Sequence, residues 1–257
     1  MHKWMWILIF LAFLGIGLVA LDPDYGWHVA MGKYILVDGI PKTDPFSYTM
    51  PSYPFVDHEW LLNILMYWGE VSIGKNGLAV IFALVTTGAL YLVPRKKGWE
   101  LGVILAVGVL AFRGGVRPQV LDWFLVAVLW RMWQTKYKWW LPVIFLVWVN
   151  LHGGFAIGIL MWLFMVFVKT IEDKKLKIED WTNWLASCLA TFVNPYGWRI
   201  WWEVWMQITD RQLRQNINEW QPCYVTVEPA FWFLAVLIVM FIYKQFKERN
   251  IIWWRDL

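Results

Sequence analysis

Asp22-Pro23-Asp24 and, four residues further on, His28 bring two carboxylates and an imidazole to the start of one amphipathic stretch. Asp24 and His28 share a helical face, where a carboxylate could take a proton from a substrate hydroxyl. Helix capping would account for the same residues, with Asp as N-cap, Pro at the first helical position and Asp against the dipole. Asp57-His58-Glu59 repeats the pattern: Asp57 suits a cap, and Glu59, Asn63 and Glu70 line the less apolar side of a second stretch, with a solvated face as the bland alternative. His58-Glu59 lacks the second histidine of a zinc-binding H-E-x-x-H, Leu62 standing in its place, so no structural zinc is expected. Asp22, Asp24, Asp57 and Glu59 could chelate a divalent ion, but the motifs do not demand one, and the cofactor stays open.

Later motifs add cations and amides. Arg113 and Arg117 flank a Gly-Gly-Val turn before Pro118 and Gln119, with Asp122 one turn into the next helix. Arginines beside glycines at a helix N-terminus could hold a phosphate; snorkelling arginines at an interfacial turn are the alternative. Asn150 and His152 close an apolar run and need partners if buried. Asn194-Pro195-Tyr196-Gly197 reads as a turn, and Asn218 to Pro222, with Glu219 inside it, as a polar loop.

The elements that must position these groups are apolar helices. The chain has 257 residues, 60% hydrophobic and only 16% charged, with 23 tryptophans, a composition far from that of soluble domains and suited to membrane boundaries. The +4 charge is spread in short runs between apolar segments, which argues against a nucleic-acid partner. Apolar runs at about 4–21, 77–93, 99–112, 119–134, 139–151, 155–168, 182–193 and 228–243 predict an all-α polytopic bundle of about eight spans in one domain, 1–257. The first run is expected to be an uncleaved anchor, since no A-x-A pattern follows it. Lysine and arginine concentrate in one set of loops, including Arg95, Lys96, Lys97, Lys174 and Lys175, which places the N-terminus on the cytoplasmic side. Every polar motif above then lies on the outer side. The long first outer loop, about 22–76, carries two amphipathic stretches expected to lie on the membrane surface: Trp27, Ala30, Met31, Tyr34 and Ile35 share one face, and Trp60, Leu61, Ile64, Leu65 and Trp68 the other. A shared outer cavity roofed by them is the economical expectation.

Asp22-Pro23-Asp24, Trp27-His28, the run Asp44 to Tyr48, Asp57 to Trp60, Arg117 to Gln119, Asn150 to Gly154, Asn194 to Gly197 and Glu219 to Gln221 together resemble a prokaryotic group of membrane proteins placed with the GT-C glycosyltransferases. The likeness covers about residues 22–222. It implies sugar transfer from a polyprenyl-phosphate donor at the outer face of the cytoplasmic membrane, and a partner that is a membrane lipid. It implies Asp24, or failing it Asp22, as the base, Arg117 with Arg113 on the phosphate, and His58, Glu59 and His152 positioning sugar or acceptor. His28, Asp57, Gln119, Asn194 and Glu219 complete the expected substrate contacts. Relatives tend to be longer after the Glu219 region, so this chain is expected to be shortened there. A non-catalytic subunit of an envelope-assembly complex and a lipid or solute transporter are the other function classes this pattern admits.

Overall fold

A computed structural model describes residues 3–20, 22–93, 99–111, 113–133 and 135–216, with Trp232, Ala235, Val236 and Val239 beyond them. Among the described residues the chain is all-helical, without a named strand. Helix α1 (Lys3–Val19) leads through the Asp22 turn into α2 (Tyr25–Asp38), and an irregular loop carrying a Thr43 to Pro54 bridge returns to α3 (Trp60–Leu92). There follow α4 (Trp99–Ala111), α5 (Gln119–Trp133), a 3₁₀ turn (Lys136–Trp140), α6 (Leu141–Leu151), α7 (Phe155–Glu172), α8 (Ile178–Ala190), α9 (Arg199–Thr209) and the short α10 (Arg211–Asn216).

Of these, α3 and α7 are long and apolar enough to cross a membrane, and α1 and α4 are shorter apolar helices. The expectation of about eight spans is therefore reduced to two such helices among the described residues. Helices of 11 to 15 residues, as α5, α6 and α8 are, rise only about 16–22 Å at 1.5 Å per residue, short of a core of about 30 Å. The run 139–151 begins as a 3₁₀ turn because the Thr135 hydroxyl accepts the Tyr137 N–H. The run 228–243 and Glu219 lie outside the described residues, apart from the four positions named above.

The second amphipathic stretch and the second apolar run prove to be one element. Gly74 (φ 67°, ψ 175°) breaks α3 into an N-terminal half and a C-terminal half, a left-handed φ that glycine adopts without a Cβ penalty. The N-terminal half turns its polar side inward. Leu65 and Trp68 are exposed, whereas Leu62, Asn63, Ile64 and Met66 are buried. Glu59 and Asn63, expected on the polar side, point into the protein. The stretch is apolar nearly all round, so its pattern does not fix a face; the buried polar network described below does. Ala30 is likewise exposed, while Met31, Ile35 and Ile64 form a small core between α2 and α3.

That contact is close because of Gly32. A Cβ built there would stand 2.0 Å from the Asn63 carbonyl oxygen and 2.8 Å from Tyr67 Cβ. Gly32→Ala is expected to force α2 off α3 and destabilise the fold by about 1–3 kcal/mol, the usual cost of overpacking. A thermal unfolding midpoint matching the wild type would contradict this packing.

α8 is inverted relative to a helix of a soluble protein. Asp180 (2% exposed), Asn183 and Ser187 (0%) are buried, while Leu185 and Leu189 (61%) face outward. Its polar side packs on α6 and the 3₁₀ turn: Lys138 pairs with Asp180, Asn183 Nδ2 donates to the Lys138 carbonyl, and Ser187 donates to the Asn183 carbonyl. The main apolar core lies nearby, where Phe145, Trp148, Phe155 and Trp162 interlock between α6 and α7.

Candidate functional site

The loop ends opposite the Lys138–Asp180 pair carry the polar motifs. Three of the chain's four histidines surround one carboxylate there. Glu59, at the N-cap of α3, lies 2.9 Å from His152 Nε2, 3.4 Å from His28 Nδ1 and 3.6 Å from His58 Nε2. His152, at the C-cap of α6, is held from its other side by Asp122, whose carboxylate is 2.5 Å from Nδ1. Trp148 Nε1 donates to the second Asp122 oxygen at 2.7 Å. The placement suits both macrodipoles, a carboxylate at a helix N-terminus and an imidazolium at a C-terminus. Gly154 permits it, since a Cβ there would lie 2.3 Å from the Asp122 carboxylate, and at Gly153 a Cβ would lie 3.0 Å from the His58 ring.

A second buried chain runs from His28. Its Nδ1 lies 2.7 Å from Asn63 Oδ1, and Asn63 Nδ2 donates to both Asp57 oxygens at 3.1 and 2.9 Å. Asp57 also accepts the Glu59 N–H, as an Asx turn before the helix. Tyr196, whose hydroxyl donates to the Pro41 carbonyl at 3.0 Å, lies close enough to Asp57 to feel its charge. Asn150 is held separately: its Oδ1 accepts from Trp60 Nε1 and its Nδ2 donates to the Val193 carbonyl.

Charge follows from this geometry. Burial opposes ionisation of Glu59, but the hydrogen bond from His152 and the positive potential of the three imidazoles outweigh it and lower the carboxyl from 4.5 to about 2. Burial likewise opposes the charge on His152, yet its hydrogen bonds to Asp122 and Glu59 raise it from 6.5 to about 10. Burial pushes the Asp57 carboxyl up, against the pull of its hydrogen bonds. Glu59 and His152 are thus held as an ion pair, with Asp122 hydrogen-bonded to the far side of the imidazole.

The remaining candidates fall at the edge. Asp22 is buried and its carboxylate lies 3.4 Å from Arg117 Nε, so the alternative base and the expected phosphate-binding cation are direct neighbours. Asp24, the first choice as base, is exposed; its N–H is donated to Asp22 Oδ1, the arrangement of a turn. Arg113 is exposed on the rim of the same turn. The turn is closed by Gly115 (φ 116°), where a Cβ would lie 2.7 Å from the Ala20 carbonyl oxygen. Gln119 lies at the start of α5, partly buried. Asn194 is used up in its own turn, donating to the Thr191 and Gly197 carbonyls and accepting the Tyr196 N–H. Asp22 and Asp24 are thus committed elsewhere than Asp57 and Glu59, and among the described residues no group of three or more His, Cys, Asp or Glu is arranged to hold a metal ion.

Asp122 and Trp148 are the members of the site that sequence reasoning missed. Asp122 was visible as a lone carboxylate in the first turn of an apolar helix, which is a signal in itself; Trp148 is one of many tryptophans and carried none. No family model matches the chain, and no curated protein or solved structure matches it.

Proposed function

We propose that the chain is a membrane-embedded transferase of GT-C type, moving a sugar from a polyprenyl-phosphate donor to an acceptor hydroxyl at the outer membrane face. The observation that carries this is the contact of Asp22 with Arg117, a carboxylate and a guanidinium from positions 95 residues apart in sequence. Asp22 serves as the base and Arg117, with Arg113, holds the donor phosphate. When the phosphate engages Arg117, the guanidinium leaves Asp22, whose carboxylate then takes the proton of the acceptor hydroxyl. The acceptor oxygen bonds to the anomeric carbon as the bond from that carbon to the phosphate oxygen breaks, and the electron pair departs on the phosphate, opposite the arginines. A single displacement inverts the anomeric centre. No general acid is required, because the leaving phosphate is weakly basic. The Glu59–His152–Asp122 contacts join the N-terminus of α3 to the C-terminus of α6 and the start of α5.

Membrane residence rests on the inverted α8 and on the breadth of exposed apolar side chains, among them Leu8, Ile104, Leu160, Phe164 and Leu189. Water would penalise that surface; acyl chains would not. The short helices then require a thinned bilayer or tryptophan and tyrosine at their ends to fill the interface, as Trp139, Trp140, Trp198 and Trp202, all exposed, would do. The polar side of α8 is taken up by contacts to α6 and the 3₁₀ turn, so it does not favour a transport path.

The test is reconstitution of the full chain in lipid with polyprenyl-phosphate sugars of several head groups and a mixed lipid acceptor pool. Loss of the donor with appearance of an inverted glycoside is the expected result. Donors left intact throughout, in a protein that is folded by circular dichroism, would reject the transferase.

A further inference from the structure

Next to the cluster, a cavity of about 650 Å³ extends along α5. Its lining runs from Gln119 and Asp122 through Trp123 and Val126 to Trp130, with Leu90 of α3 opposite. From Gln119 to Trp130 the helix rises about 16 Å, enough for roughly a dozen methylenes in an extended chain. It is apolar except at one end. There the Gln119 Oε1 is buried and without a hydrogen-bond partner, and the Asp122 carboxylate, already engaged by His152 and Trp148, stands one turn on. Among the described residues that line the cavity there is no lysine, arginine or histidine.

We infer that this cavity binds a single-chain membrane amphiphile whose head is an uncharged hydroxyl donor, with the chain along α5 and the hydroxyl on Gln119 Oε1. The apolar length selects an alkyl chain, and the unpaired acceptor selects a donor, since a buried acceptor left unmet is costly. The lining disfavours a phosphate head: Asp122 faces the cavity and no lysine, arginine or histidine joins it among the described lining residues, so an anion would meet a carboxylate and no cation. The donor phosphate at Arg117 and this hydroxyl would therefore enter by different routes. Calling the occupant an acceptor rests on the transferase proposed above; its binding does not.

The experiment uses the full chain in phosphatidylcholine nanodiscs, labelled with dodecanol carrying a diazirine at the chain terminus, with cross-links mapped by peptide sequencing. Labelling is expected on α5 near Val126 and Trp130, displaced by unlabelled dodecanol about tenfold more readily than by dodecyl phosphate, the equivalent of one good hydrogen bond or one repulsion of that size. Gln119→Leu should weaken labelling about fivefold while leaving helix content unchanged. Ala127→Trp, which fills the cavity, should abolish it; should that variant misfold, Gln119→Leu still decides. Equal displacement by the phosphate, labelling scattered over the lipid-facing helices, or no labelling because the chain's own 228–243 segment or solvent fills the space would each overturn the inference. A protein that labels as described yet transfers no sugar rejects the transferase and leaves the cavity's ligand standing.

Discussion

Asp22→Asn is expected to lower sugar transfer by about 10²–10⁴-fold, the usual range for loss of a general base, while Asp24→Asn two residues away costs about twofold, as an exposed substitution should. The two carboxylates are close in sequence and unlike in setting. Asp22 is buried against Arg117, whereas Asp24 is exposed and gives its N–H to Asp22. Transfer measured under single-turnover conditions in lipid separates them, with Asp22→Glu as the control that keeps the anion and its pairing and should recover part of the rate. Helix content and elution profile establish that the Asn variant is folded. Normal turnover in Asp22→Asn together with a dead Asp24→Asn would return the base to Asp24 and remove the role given to the Arg117 contact.

Glu59→Gln should destabilise the protein by about 3 kcal/mol, because it removes one partner from a buried ionic bridge and leaves His152 with Asp122 alone. The pH profile should change with it. In the wild type the lowered Glu59 carboxyl contributes stability that is fully present above about 4.5 and lost as pH falls through about 2. The raised His152 contributes stability that is fully present below 6.5 and lost as pH rises through about 10. The bridge is therefore at full strength from about pH 4.5 to 6.5. Unfolding midpoints in a mild detergent should lose the acid limb in Glu59→Gln, and the alkaline limb should move towards neutrality. Adding His152→Gln to Glu59→Gln should cost less than the sum of the two, since neither charge is then stranded. Strict additivity, or a midpoint insensitive to Glu59→Gln, would show that the bridge is not what holds α3 to α6.

The helical class and the neighbourhood of the motifs were legible because each rests on local pattern: long apolar runs broken by short polar strings, with basic loops alternating. What pattern could not supply was direction. Asp22 and Asp24 both suit a helix start, and only the fold shows which one meets Arg117. The N-terminal half of α3 carries apolar residues on every side, so the pattern grouped Leu65 and Trp68 with Ile64 and did not single out Leu62 and Met66 as the packed ones; the buried hydrogen bonds of Asn63 decide its rotation. Span lengths were overcounted because hydropathy scores a run without asking whether it is helical throughout, and the run 139–151 opens with a 3₁₀ turn. Asp122 was given no role because its partner His152 lies 30 residues along the chain on another element.

The inward polar side of α8 has a consequence for biogenesis. Released alone into a bilayer, this helix would expose the side chains of Asn183 and Ser187 to lipid, and Asp180 in its first turn would be without its cation. Lys138, which neutralises Asp180, is synthesised earlier, just ahead of α6. In the bilayer proposed for this protein, α6 must accordingly wait at the translocon for α8 to emerge, and the two leave it as a preassembled pair.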